Sequence, residues 1–351
     1  MSLIHIPQAK WGTGTGRQVI LKGDFEKIEQ AVMESFEVTQ APSLEYVSAS
    51  QVRVPATADV RARVMLLGFP SPLHRGQWVD GDLADGRYRE NATTVTLDLA
   101  QTGSLWGTEK ASQWYGVYAQ AGSGDTTFTL KAMPVMRVSS QSTQVITLRN
   151  NANTSDIGYG LTVNELAGAK ILILTGASRG LIRSITANNG DNGTGGAITY
   201  GGTALTLAQG DWFMVLPQTN FRLLGMVFND SGSDLVAFSQ KGSRMSFLSP
   251  RDLASGAING YTIFDVGLVA PPTARFLNGY AGATSGADLR CAISYDGVNP
   301  ALLLHASPPS GAFQGIQGAV PFTCRILESH GLYLNNDNTT NQVVRVLGWD
   351  E

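Results

Sequence analysis

The sequence predicts an all-β protein, made of several small antiparallel β-sandwich or barrel domains with one N-terminal helix. Three observations support this class. Short segments that alternate apolar and polar residues recur along most of the 351-residue chain, as in half-buried antiparallel strands. Charged residues make up only 15% and glycines number 40, whereas long exposed helices need a charged outer face. Finally, only one segment has a clear helical period.

That helix is predicted from Asp24 to about Val38, within an N-terminal arm of residues 1–43. Asp24 is a suitable N-cap, because its carboxylate can accept a hydrogen bond from an amide of the first helical turn. The apolar side chains that would share one helix face are Phe25, Ile28, Val32, Met33 and Phe36. A single helix of this length is unstable in isolation, so we expect it to pack either on its own domain or on a partner protein.

Residues 44–140 are predicted to form the first β-domain. Within it, Thr94–Leu99 and Thr127–Leu130 both alternate apolar and polar residues, which indicates strands with one buried face. A further strand candidate, Phe221–Phe228, leaves two arrangements open. Either residues 219–250 continue this first domain, or all domains follow one another in tandem.

Residues 141–218 are predicted to form a small barrel-like unit, because about five or six short strand candidates follow one another there. Gly201 and Gly202 form the predicted turn of a hairpin whose second strand ends at Leu207. The other strand candidates are Gln144–Leu148, Lys170–Leu174, Leu181–Ile185 and Trp212–Leu216. This unit is either inserted into the first domain or placed after it.

Residues 251–351 are predicted to form a C-terminal β-sandwich. Its strand candidates are Tyr261–Val269, Cys291–Tyr295, Ala301–His305 and Val343–Leu347. The two cysteines of the chain, Cys291 and Cys324, have no CxxC partner and no histidine at zinc-ligand spacing. Two buried free thiols are the favoured interpretation, and a single disulfide is the alternative that sequence leaves open.

The segment Leu174–Gly180 resembles the cofactor turn of short-chain dehydrogenases, in which glycines let a pyrophosphate approach a helix start. Three features argue against this function. The third glycine is missing, since Leu181 follows Gly180, and no tyrosine is followed four positions later by lysine. The alternation in Leu181–Ile185 also predicts a strand where the cofactor site needs a helix. We therefore predict a glycine-rich β-turn.

Charge and motif content disfavour several other functions. The net charge of −3 and the pI of about 5.8 provide no basic patch for phosphate groups, so nucleic-acid binding is not expected. Apolar runs are too short for a signal peptide or a membrane span, so we expect synthesis in a cytoplasm and no membrane insertion. Acidic loops near Asp80, Asp230 and Asp337 do not match the calcium-binding EF-hand and predict turns, with calcium as the alternative. No catalytic residue, cofactor or metal is expected.

Tryptophan and tyrosine are the best candidates for contact with a partner, because they combine a large apolar area with a polar group. Trp78 lies between turn residues and is expected to be exposed, whereas Trp106 and Trp114 are expected in the core. The residues predicted to contact a partner or receptor are Trp78, Tyr115, Tyr118, Tyr280, Tyr295, Asn335 and Asp337.

Three stretches, Tyr46–Val54, Trp106–Gly116 and Asn335–Trp349, resemble tail proteins of long-tailed bacteriophages and prophages. The resemblance carries over no catalytic residue. It implies a non-enzymatic virion component of the tail tip, baseplate or tail fibre, made in the host cytoplasm and assembled as a symmetric oligomer, commonly a homotrimer. The N-terminal helix would attach the chain to other tail proteins, and distal loops would bind a host surface glycan or protein. The alternatives are a glycan-degrading tail enzyme and a capsid decoration or head-fibre protein.

Overall fold

A computed structural model describes residues 43–57, 61–66, 69–70, 78–79, 88–149, 159–190, 196–283, 289–306, 317–327, 329–336 and 342–350. These residues contain 24 strands and no helix, which confirms the predicted all-β class for this part of the chain. They belong to a compact unit from Ala41 to Glu351. The N-terminal arm with the predicted helix face, Phe25, Ile28, Val32, Met33 and Phe36, lies outside the described residues. Accordingly, nothing in the described ranges is a helix long and apolar enough to cross a membrane.

The strands are numbered in chain order. The first twelve are β1 (Glu45–Tyr46), β2 (Gln51–Val54), β3 (Ala62–Met65), β4 (Phe69–Pro70), β5 (Trp78–Val79), β6 (Tyr88–Asn91), β7 (Val95–Asp98), β8 (Gln113–Ala121), β9 (Thr129–Ser142), β10 (Val145–Arg149), β11 (Lys170–Ile173) and β12 (Ile182–Asn188). The other twelve are β13 (Ala197–Tyr200), β14 (Trp212–Leu216), β15 (Asn220–Asn229), β16 (Phe238–Lys241), β17 (Arg244–Ser255), β18 (Thr262–Asp265), β19 (Phe276–Ala283), β20 (Leu289–Ser294), β21 (Leu302–Ala306), β22 (Gln317–Arg325), β23 (Gly331–Asn335) and β24 (Gln342–Asp350).

The first large sheet joins strands from both ends of the described chain. Its order is β22-β19-β24-β17-β16-β1-β2-β7. Strand β1 supplies the link, because Glu45 pairs with Arg53 of β2 on one side and with Ser239 of β16 on the other. Strands from the segment predicted as a C-terminal sandwich therefore share one sheet with strands of the first predicted domain.

The second large sheet contains a six-stranded barrel. Its order is β10-β13-β12-β11-β14-β9-β8-β15, and β10 also pairs with β9, which closes the barrel. Strand β9 spans 14 residues because its first half pairs with β8 and its second half with β14 and β10. Strands β8 and β15, which flank the barrel strands β10–β14 in sequence, pair with each other. The chain thus enters this sheet at β8 and leaves it after the neighbouring strand β15.

The glycine-rich turn predicted at Leu174–Gly180 is confirmed. It connects β11 and β12, which pair antiparallel, so no parallel nucleotide-binding unit forms here. Gly176 and Gly180 have φ angles of 78° and 84°, in the left-handed region that glycine adopts without strain. Gly176 also lies so close to Asp211 that an added Cβ would be 2.2 Å from its carboxylate.

The second strand of the hairpin predicted around Gly201 and Gly202 is absent from the described structure, so that prediction is wrong. Side chains satisfy the backbone amides of this segment instead of a neighbouring strand. The hydroxyl of Tyr200 accepts from the Leu205 amide at 2.9 Å, and Gln141 Oε1 accepts from the Leu207 amide at 2.9 Å. Sequence alternation alone does not distinguish these two ways of satisfying an amide.

An aromatic cluster fills the core between the two large sheets. Trp114 of β8 contacts Phe228 of β15, with ring centres 4.7 Å apart, and Trp349 of β24, with ring centres 5.2 Å apart. Trp349 in turn contacts Phe247 of β17 at 5.1 Å. Trp106 is also buried, so the predicted core positions of Trp106 and Trp114 are confirmed.

Candidate interaction surface

Two of the residues predicted to contact a partner, Tyr115 and Tyr118, are fully buried on β8. The Tyr115 hydroxyl accepts from the Lys110 amide at 2.8 Å, and the Tyr118 hydroxyl donates to the Val215 carbonyl at 3.3 Å. Burial raises the pKa of both phenols well above the ordinary value. The prediction that these two tyrosines lie at a contact surface is therefore wrong, because β8 has apolar neighbours on both of its faces.

The other predicted contact residues are distributed over three regions. Trp78 lies in β5, which pairs with β4, and Asp337 falls outside the described residues. Tyr280 of β19 is half-buried, and its hydroxyl accepts from Arg345 at 3.4 Å. Asn335 belongs to β23 of a four-stranded sheet, and Tyr295 lies in the turn directly after β20 of the same sheet. Their role in partner contact remains a prediction.

The four-stranded sheet has the order β18-β23-β20-β21. One of its faces is buried, and the other ranges from half-buried to exposed. The buried face is apolar and consists of Cys291, Ile293, Leu304, Leu332 and Leu334. We define the outer face by the residues that alternate with these, namely Ile263, Tyr333, Asn335, Ala292 and Leu303. Their register fixes this grouping, because Ile263 pairs with Tyr333, and Ala292 pairs with both Asn335 and Leu303.

Two positions of the outer face expose large aliphatic side chains. Leu303 is 70% exposed and Ile263 is 49% exposed. Solvent-facing strand positions normally carry polar residues, and clustered exposed apolar residues mark interaction surfaces. In the sequence, the unusual position of Leu303 is marked only by the unbroken apolar run Leu302–Leu304, in which the alternation of apolar and polar residues fails. That run is equally compatible with a strand buried on both faces.

The turn after β20 extends this surface. An added Cβ at Gly297 would lie 3.1 Å from the Tyr333 ring, so the turn packs against an outer-face residue. Val298, the next residue, is 73% exposed. Nothing in the sequence pattern predicted an exposed Val298, although Asp296 and Gly297 are ordinary turn residues.

Hydrogen bonds hold this turn in one conformation. The Asp296 carboxylate accepts from the Asn299 amide at 2.8 Å, from the Val298 amide at 2.8 Å and from the Ser294 hydroxyl at 2.9 Å. These bonds, with those from Asn299 first, hold the pKa of Asp296 far below its ordinary value. The turn presents Val298 without needing to be ordered by a partner, which lowers the entropic cost of a contact.

A polar crevice of about 390 Å³ lies elsewhere, beside the turn that contains Gly176. Its charged groups are bonded within the protein. The Asp211 carboxylate accepts from the Thr175 hydroxyl at 3.3 Å, and Arg137 pairs with Asp265 at 2.6 Å. Across the described ranges, no group of three or more His, Cys, Asp or Glu could hold a metal ion.

Cys291 and Cys324 are buried free thiols, which confirms the favoured interpretation. Cys291 belongs to the four-stranded sheet, and Cys324 to β22 of the first large sheet. Burial raises the pKa of each thiol to about 12. At neutral pH both therefore remain protonated, and neither has the thiolate that a nucleophile requires.

Comparisons with protein-family models, with curated proteins and with solved structures give no match to this chain. The candidate site is consequently defined by its surface chemistry. It is a sheet face whose two edge strands expose Ile263 and Leu303, next to a hydrogen-bonded turn that exposes Val298.

Proposed function

We propose that this protein is a non-enzymatic structural component of a bacteriophage tail, at the tail tip, baseplate or fibre. It assembles there with copies of itself through the outer face and contributes to host attachment. The observation that carries the assembly proposal is the exposure of Leu303, Val298 and Ile263 on one side of the four-stranded sheet. The tail is proposed from the resemblance of three sequence stretches to phage tail proteins.

A second copy suits this surface better than a partner of opposite charge. Asp296, the acidic residue next to Val298, already has its carboxylate in hydrogen bonds of its own turn. A symmetric contact also uses the same apolar patch on both copies, so it covers twice the area that one patch exposes. Charged residues make up only 15% of the chain, well below the ~25% of an average soluble protein, so little charge needs to be desolvated on assembly.

The assembly proposal predicts an oligomer at micromolar concentration, measured by size-exclusion chromatography with light scattering. Leu303→Asp is expected to raise the dissociation constant at least about tenfold, because association would bury an unpaired carboxylate. Leu248→Asp is the matched control, since Leu248 is 64% exposed on β17 of the first large sheet. A wild-type monomer would contradict assembly, and an oligomer unaffected by Leu303→Asp would contradict this surface.

The tail location predicts that an antibody against the chain labels the tail of particles of the encoding phage in electron micrographs. Label on the head would instead support a decoration or head-fibre protein. Absence of the chain from purified particles would reject a virion role. The control is the same antibody on particles of a phage that lacks the gene.

A further inference from the structure

Four side chains join the barrel to the four-stranded sheet, and we call this group the seam. Arg137 of β9 and Trp212 of β14 belong to the barrel, whereas Asp265 ends β18 and His330 directly precedes β23. The Arg137 guanidinium lies 4.5 Å from the centre of the Trp212 ring, and its Nη1 lies 2.6 Å from the Asp265 carboxylate. The Trp212 and His330 rings meet edge-on, with centres 5.6 Å apart.

His330 is held in the seam as a neutral imidazole. Its Nε2 lies 3.0 Å from the Ala270 carbonyl oxygen. Because a carbonyl oxygen only accepts, Nε2 carries the proton in this bond. A second proton would go to Nδ1, since Nε2 already carries one in this bond. The side chain is buried, so water does not solvate that additional charge.

The charges around His330 do not compensate for its burial. Burial lowers the pKa of His330 to about 4. The negative charge of Asp265 and the hydrogen bond to Ala270 oppose this shift, and the positive charge of Arg137 adds to it. The Asp265 carboxylate is already paired with Arg137. An imidazolium at this position would therefore lie beside a guanidinium, in a site with little water.

Two further features of the seam carry a cost in free energy. The Trp212 indole Nε1 is buried, and no described residue hydrogen-bonds to it, which costs free energy relative to a satisfied donor. His330 also has a φ angle of 59°, in the left-handed region that residues other than glycine adopt at some cost.

We infer that protonation of His330 opens the seam and releases the four-stranded sheet from the barrel at acidic pH. The consequence for assembly rests on the proposed function. Asp265 and His330 flank β18 and β23, the strands that carry Ile263 and Tyr333 of the outer face. Opening the seam is therefore expected to alter the surface through which copies associate.

The direction of the pH effect follows from the two protonation states. The ordinary pKa of 6.5 applies to an exposed imidazole, whereas the buried one has a pKa of about 4. Between these values the open form binds a proton that the closed form does not. The stability of the seam is thus complete above pH 6.5 and falls as the pH decreases towards 4, with opening favoured about tenfold per pH unit.

Hydrogen exchange of the full-length protein, corrected for intrinsic exchange rates, tests this inference at pH 7.5 and 5.0. Peptides that cover Thr262–Ala274 and Ile326–Leu334 are expected to lose about thirtyfold protection at pH 5.0. Peptides of β10 on the far side of the barrel serve as the internal reference. Unchanged protection of the seam peptides in the wild type would overturn the inference.

Two variants assign the effect to the imidazole. His330→Gln retains an N–H donor for the Ala270 carbonyl but does not titrate, so its seam peptides are expected to stay protected at pH 5.0. His305→Gln, at an exposed position on β21, is expected to lose protection as the wild type does. Equal loss in His330→Gln and the wild type would overturn the inference.

A measurement on the unmodified chain covers the case in which His330→Gln does not fold. Deuterium exchange at the imidazole C2 position, followed by mass spectrometry, reports the pKa of each histidine. A pKa near 6.5 for His330 would overturn the inference. Repeating the amide measurement on monomeric Leu303→Asp separates the two proposals, because seam opening in that variant would support the inference whether or not the wild type associates.

Discussion

Trp349→Ala is expected to lower the free energy of unfolding by about 3–5 kcal/mol. The indole is buried on β24, the strand that pairs with both β17 and β19 in the first large sheet. It contacts Trp114 of the second large sheet and Phe247 of its own sheet. Its removal leaves a cavity between the sheets that the surrounding backbone cannot close.

Urea unfolding followed by circular dichroism measures this loss. The Trp349 Nε1 is buried and makes no hydrogen bond to any described residue, so packing rather than a lost hydrogen bond causes the effect. Trp349→Phe is therefore expected to recover more than half of the lost stability. The matched control is Leu347→Ala on the same strand, since Leu347 is partly exposed and its loss should cost less than about 1 kcal/mol. Similar costs for Trp349→Ala and Leu347→Ala would contradict the core role.

Gly348→Ala, at the adjacent position, is expected to destabilise the fold by about 1–3 kcal/mol or more. An added Cβ would lie 2.1 Å from the Met245 carbonyl oxygen and 2.8 Å from the Ser246 Cα. Both atoms belong to the backbone of β17, so no side-chain rotation relieves the clash. The two strands must separate, which disturbs the hydrogen bonds between them.

The same urea titration measures this variant. Gly201→Ala is the control, because its added Cβ would meet its nearest neighbour, the Thr186 Cγ2, at an ordinary 3.4 Å. We expect Gly201→Ala to change stability by less than about 1 kcal/mol. Equal midpoints for the two variants would show that the contact between β17 and β24 tolerates a methyl group.

Local sequence patterns correctly predicted many of the strands. Thr94–Leu99 contains β7, Lys170–Leu174 contains β11, and Trp212–Leu216 coincides with β14. The glycine-rich turn after β11 was predictable for the same reason. Side-chain alternation and the φ angles of a turn depend on neighbouring residues, so a short window of sequence carries that information.

The candidate site was predicted only in part. Asn335 lies on the outer face and Tyr295 beside it, but Ile263, Val298 and Leu303 were missed. Alternation gives the same pattern whichever face of a strand is covered, so it does not state which face meets solvent. The prediction for Tyr115 and Tyr118 was wrong for the complementary reason, because β8 is buried on both of its faces by segments distant in sequence.

The sequence by itself determined the all-β class, the position of many strands and the conformation of the glycine-rich turn, because these depend on contacts within a few residues. Only the tertiary structure decided that β1 pairs with a strand almost two hundred residues away, that an aliphatic sheet face is exposed, and that His330 is buried against the barrel. Such features depend on which distant segments meet and in which register, and many pairings are compatible with the same local pattern.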